Sequence, residues 1–178
     1  MRLAASILAC CALVAGCDSE EPKSAAKAGE RPRGAPPALA KLNDQANRLL
    51  DGGVDAFTAR LRRLRGYPVV VNKWASWCAP CRAEFPFFQA QALERGAEVA
   101  FLGVDSDDND ADAAEFLAEF PVSFPSYTDP RLAIAAELGS QFFPSTTFYD
   151  SKGKRAYIHQ GAYASEDKLV EDIERYAR

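Results

Sequence analysis

The sequence predicts an α/β domain with a mixed central sheet flanked by helices, and three observations carry that expectation. Apolar, β-branched runs at 69–74 and 98–105 alternate with stretches of helical periodicity, the pattern of strand–helix–strand units built on parallel strands. Two later extended runs, 145–150 and 155–160, flank the turn Ser151-Lys152-Gly153-Lys154 and read as a hairpin that adds an antiparallel edge. A chain of 178 residues, 48% hydrophobic with 11 glycines and 11 prolines, suits one globular domain plus non-domain material at an end.

That material is N-terminal. Residues 3–15 form an apolar run preceded only by Arg2 and the amino terminus, too short to span a bilayer and laid out as a signal peptide. The run ends in Leu13-Val14-Ala15-Gly16-Cys17, which resembles a bacterial lipoprotein signal. The resemblance implies removal of residues 1–16 and diacylation of Cys17. Cys10 is a poorer site, because bulky Leu8 precedes it in a very short run; an ordinary signal peptide is the alternative. Residues 18–37 are charged and rich in Ala, Pro and Gly, without apolar periodicity. They read as a disordered tether following Cys17, with a span of roughly 25 Å. The domain is expected over 38–178.

Within the domain, Leu39, Leu42, Ala46, Leu49 and Leu50 fall at helical spacing over 38–50, and Gly52-Gly53 stops them. A second helix over 55–65 buries Phe57, Leu61 and Leu64 and presents Arg60, Arg62, Arg63 and Arg65, a solvated face or a contact for anionic lipid or an acidic partner. The run 69–74 suits a buried central strand, interrupted by Lys73, which is expected outward or near the active site. A helix over 78–95 contains Pro86, expected to kink it. Then come a strand (98–105), an amphipathic helix (110–120), a short strand (123–128) and a helix (130–138) stopped by Gly139. The hairpin follows, and a last helix over 165–178 turns Leu169, Ile173 and Tyr176 inward.

The chemistry sits at Trp77-Cys78-Ala79-Pro80-Cys81. Residues three apart share a helix face, so the sulfurs of Cys78 and Cys81 can close or release a disulfide. The strand delivers Cys78 to a helix N-terminus, where free N–H groups and the positive dipole end favour a thiolate, the attacking species in disulfide exchange. Of the five cysteines, lipoprotein processing leaves Cys17, Cys78 and Cys81. A pair closing so short a loop removes little unfolded-state entropy and makes a poor staple; a reactive dithiol is the better reading.

The segment Val71-Asn72-Lys73-Trp74-Ala75-Ser76-Trp77-Cys78-Ala79-Pro80-Cys81-Arg82-Ala83-Glu84-Phe85-Pro86, with Phe143-Pro144-Ser145-Thr146-Thr147-Phe148-Tyr149-Asp150 downstream, resembles the TlpA/ResA-like family of membrane-anchored, extracytoplasmic thioredoxin-like proteins. The likeness runs from about residue 50 to 177 and includes that branch's helix–strand insertion, here 107–128. It implies a thioredoxin-like fold and a thiol–disulfide oxidoreductase, a reductase of exported proteins by expectation, of the kind linked to cytochrome c maturation. Cys78 matches the exposed attacking cysteine and Cys81 the buried resolving one. Glu84 matches a glutamate that tunes or deprotonates the pair, with a solvated helix glutamate as the alternative. Pro144 matches the cis-proline opposite the dithiol, presenting the backbone of Phe143 to a substrate strand, and Trp77 the active-site wall. Where plain thioredoxins bury an aspartate six residues before the first cysteine, this chain has Asn72. That moves attention to Glu84. Lys73 stands where an aromatic is usual and is expected to face solvent.

Other signals are weaker. Residues 105–112 hold five aspartates, but an EF-hand starting at Asp105 would need Gly at 110 and Glu at 116, where Asp110 and Phe116 stand. A solvated loop and acidic helix start is expected instead. His159, the single histidine, leaves open a copper-binding or copper-delivery module using both thiols, although such relatives space their cysteines one residue wider. A thiol peroxidase would want Thr or Ser at 75, where Ala75 stands. A net charge of −4 argues against nucleic acid as a partner. The expected partners are protein disulfides and a membrane electron donor, for a lipid-anchored monomer on the periplasmic face of an inner membrane or on the cell surface. No metal or other cofactor is expected.

Overall fold

Six strands form one mixed sheet in the computed structural model, which describes residues 30–178. They are β1 (Leu49–Leu50), β2 (Val69–Trp74), β3 (Ala100–Ser106), β4 (Ser126–Asp129), β5 (Ser145–Tyr149) and β6 (Arg155–Gln160), in spatial order β1-β4-β3-β2-β5-β6. The first four are mutually parallel; β5 runs antiparallel to both β2 and β6. The reversed strand is therefore internal, and β6 forms the edge beyond it. This is a thioredoxin-like architecture with an added helix and strand.

Alternation along the strands sorts two cores. Val70, Trp74 and Phe101 face α3 (Ala79–Arg95), α4 (Asp110–Glu119) and α6 (Glu166–Tyr176), meeting Phe85, Phe88, Phe116, Leu169 and Ile173. Val69, Val71, Leu102 and Val104 face α1 (Pro37–Asn43), α2 (Gly53–Arg63) and α5 (Ala133–Leu138), meeting Leu39, Phe57 and Leu138. All six residues of β2 are buried, as a central strand demands. Position 103 needs glycine because a Cβ there would overlap Ser126 Oγ, the acceptor of the Trp74 indole N–H at 3.1 Å. Pro86 lies inside α3, which runs on to Arg95.

The helix expected over 38–50 stops early, at Asn43. Asn47 adopts φ 60°, the left-handed region that asparagine tolerates. Its side chain donates to Leu117 O and accepts from Val122 N–H, while its own N–H donates to Phe124 O. Those bonds turn the chain out of helix and lay Leu49–Leu50 beside β4 as a sheet edge. Contacts with the domain begin before residue 38. Ser123 Oγ donates to Glu30 O, and Arg31 pairs with Asp44. Ser123 precedes β4, so Glu30 meets the sheet at the end where the parallel strands begin. Among the described residues no helix is long and apolar enough to cross a membrane.

Candidate active site

Trp74 ends β2, and a short turn brings Cys78 to the first position of α3. Cys78 is the N-cap, with extended backbone, and its Sγ accepts from Cys81 N–H at 3.2 Å. Pro80 falls in the first turn, where a missing N–H costs nothing. Cys78 and Cys81 are joined as a disulfide with Cα atoms 5.3 Å apart. Once the bond is reduced, that same N–H and the helix dipole favour a thiolate at Cys78. Cys81 is fully buried and Cys78 is 3% exposed. Cys78 is thus the outer sulfur, though far less open in the disulfide form than an attacking thiol leads one to expect.

Glu84 lies one turn beyond Cys81 on α3 and is fully buried, not solvated. Its Oε1 accepts from Asn72 Nδ2 at 2.8 Å and its Oε2 from Tyr163 N–H at 3.0 Å. Burial outweighs both bonds and pushes its pKa up to about 7. Asn72 Oδ1 is buried without a partner. Turning that amide over would aim Oδ1 at the carboxyl, ready to accept from its protonated form.

On the other side stands Phe143-Pro144, joined by a cis peptide bond. The Phe143 ring lies 4.8 Å from the Trp77 indole. Trp77 is 57% exposed and donates its indole N–H to Asp107 O at 2.9 Å. Phe142, the preceding residue in the chain, is 59% exposed. Trp74, by contrast, is fully buried in the core.

Lys73 overturns an expectation. It is 1% exposed, not solvent-facing. Its neighbour Asn72 points to the α3 face, so strand alternation sends Lys73 to the opposite one, where the loop before Pro144 closes over it. Burial pushes its pKa down, opposed by the carboxylates of Asp129 and Asp107.

The acidic segment is also more than a solvated loop. Asp108 accepts from the backbone N–H and the hydroxyl of Ser76, pinning the turn that carries Trp77 and Cys78. Asn109 caps α4 through Asp112 N–H at 3.1 Å. Asp105 is 2% exposed, and its Oδ1 has no partner. Burial, then the neighbouring Asp108, raises its pKa to about 8. Asp105, Asp108, Tyr163 and Phe142 escaped the sequence reading, since no local pattern marks them.

His159 stacks on the Tyr163 ring at 4.1 Å and lies 3.7 Å from Asp172, which also accepts from Tyr163 Oη. Among the described residues no group of three His, Cys, Asp or Glu side chains is arranged to hold a metal ion. Of the helical arginines, Arg60 turns in to Tyr127 and Gln45 while Arg62, Arg63 and Arg65 are exposed. Cys17 lies outside the described residues.

A disulfide at a helix N-terminus, a buried carboxyl one turn on and a cis-proline after the Phe143 that packs on Trp77 invite comparison with known proteins. Residues 37–174 match the model of the redoxin family. The chain belongs to the redoxin family. Its similar relatives include proteins described as thiol-disulfide oxidoreductases. It is 33% identical over 112 residues to the thiol-disulfide oxidoreductase ResA of Oceanobacillus iheyensis, covering 61% of this chain and 57% of that protein. Among solved structures it is similar to dsbF of MTB, determined in mixed oxidized and reduced forms, with 30% identity and a TM-score of 0.59 over 63% of this chain and 82% of that one. The exposed lipoprotein thioredoxin of Streptococcus pneumoniae strain TIGR4 superposes with a TM-score of 0.57 at 25% identity, over 65% and 89% of the two chains. The chain thus spans little more than half the length of the first of these relatives.

Proposed function

We propose that this redoxin is a thiol–disulfide oxidoreductase that reduces disulfides of exported proteins from a lipid-anchored position outside the cytoplasm. The observation that carries the reading is the Cys78–Cys81 disulfide at the α3 N-terminus with Glu84 buried one turn away. In the reduced protein, the Cys78 thiolate attacks a partner's disulfide, forming a mixed disulfide and releasing one partner sulfur as thiolate. Cys81 then attacks Cys78 Sγ, closing the intramolecular disulfide and releasing the second partner sulfur. Glu84, held near neutrality, accepts the proton that Cys81 gives up. Trp77, Phe142 and the Phe143-Pro144 backbone form the face a substrate strand meets.

The anchor and location rest on the sequence around Cys17. The likeness to a protein described as an exposed lipoprotein thioredoxin supports them. Residues 1–16 serve as signal and the following stretch as tether. A membrane protein would return electrons to Cys78 and Cys81, and cytochrome c maturation is a process in which such a reductant would act.

Two measurements test this. The Cys78/Cys81 potential should lie well below the glutathione couple; a value near that of a strong oxidant, roughly −120 mV, would reverse the direction of electron flow. Metabolic labelling with a radioactive fatty acid should mark the wild-type chain and not Cys17→Ser; labelling of both, or of neither, removes the anchor at Cys17.

A further inference from the structure

Lys73 has no part in the exchange chemistry, yet it is among the largest fully buried side chains of the domain. Its Nζ stands 3.8 Å from the centroid of the Phe143 ring and donates to Ser140 O at 3.4 Å. Ser145 pairs with Lys73 across the β2–β5 ladder, and the Ser145 and Ser140 hydroxyls are hydrogen-bonded to each other. The segment that carries cis-Pro144 is therefore fastened around Lys73, by a backbone carbonyl at one end and a strand partner at the other. Between them the Phe143 ring has the ammonium on one flank and Trp77 on another.

A buried ammonium is costly in an apolar setting. An aliphatic side chain could fill the same volume without that cost. The carboxylates of Asp129 and Asp107 lie close enough to favour the charged form. The face of an aromatic ring attracts a cation through its quadrupole, an attraction strengthened away from water. The aromatic ring against this amine is that of the residue before the cis-proline.

We propose that Lys73 is a positioning residue for protein substrates: its ammonium grips the Phe143 ring from within the domain and holds the Phe143-Pro144 wall, with Trp77 against it, in the shape on which a partner's cystine-bearing strand docks. Lys73 does not touch the substrate, being 1% exposed. The inference rests on reading Phe143-Pro144 as the substrate-side wall of an oxidoreductase.

The test compares a protein disulfide with one too small to need the wall. For the full-length chain, reduction of insulin and of hydroxyethyl disulfide is followed in wild type, Lys73→Met and Lys73→Arg, with thermal unfolding in parallel. Lys73→Met should raise KM for insulin about thirtyfold, the order expected for one desolvated cation–π contact. Its rate with hydroxyethyl disulfide should stay within about twofold of wild type, and Lys73→Arg should recover most of the insulin KM. An unchanged insulin KM in Lys73→Met overturns the proposal. So does a parallel loss on both disulfides, which would place the effect on the sulfurs, and so does failure of Lys73→Arg to recover. If Lys73→Met does not fold, Lys73→Gln removes the charge while keeping a donor for Ser140 O; it should show the same insulin-only rise, and a wild-type KM there is equally decisive against. A wild-type protein that reduces neither disulfide would instead bring down the oxidoreductase reading itself.

Discussion

Reduced Cys81→Ser protein mixed with a disulfide-containing substrate should accumulate a covalent adduct through Cys78, and Cys78→Ser should form none. The asymmetry follows from the helix N-terminus. Cys78 is the N-cap, with Cys81 N–H directed at its sulfur, and is the outer of the two residues. It is the sulfur most readily held as a thiolate and the first a substrate can meet. Cys81 has no solvent contact, so its only disulfide within reach is the one Cys78 has just made. Removing it stops the reaction after the first bond exchange. Turnover in either variant should fall below about a thousandth of wild type, as when a covalent catalyst loses a nucleophile that works as part of a unit. Non-reducing electrophoresis and intact mass identify the adduct. An adduct on Cys81 in the Cys78→Ser protein would exchange the two roles.

Glu84→Gln should change how stability depends on pH. The Glu84 carboxyl is displaced from 4.5 to about 7 by burial. Below pH 4.5 both the folded and unfolded chains hold its proton, and the group is neutral. Between 4.5 and 7 the unfolded chain releases that proton while the folded one keeps it. Stability therefore declines as pH rises through this window and levels off above it. The full decline from this residue is about 3 kcal/mol. Asp105, displaced from 3.8 to about 8, slopes the same way and extends the decline upward. Glutamine fills the same site, still accepts from Tyr163 N–H, and can donate to the unpartnered Asn72 Oδ1. The oxidised variant should match wild type at pH 4 and exceed it by about 3 kcal/mol at pH 8, read from denaturant midpoints. Parallel curves for the two proteins would mean that Glu84 ionises as an ordinary glutamate. On the proposed role of Glu84 as acceptor of the Cys81 proton, the same variant should resolve the mixed disulfide about a hundredfold more slowly or worse.

Much of this was legible in the chain because strand and helix periods are local. The alternation of β2, the N-cap cysteine and the i, i+3 step to Glu84 all follow from spacing along a single element. Pro144 needed the family resemblance, since nothing in its neighbours marks a cis bond. What escaped notice depends on contacts made far along the chain. The choice for Lys73 between water and a place near the active site stays open in the sequence, because alternation fixes only which face it takes, and the loop that covers that face lies some seventy residues on. Asp108 looked like one more solvated aspartate until the β3–α4 connection placed it against Ser76. The helix expected over 38–50 has a consistent apolar spacing, and only the distant groups that bond Asn47 show why it stops early.

Glu30 is held by Ser123 just ahead of β4, whereas Cys78 leaves the far end of β2, a parallel strand of the same sheet. Six residues of extended chain put about 20 Å between those two ends. Any force transmitted through the residues preceding Glu30 therefore acts on the rear of the domain. Glu30 thus meets the domain at the end remote from Cys78, on the side away from the dithiol.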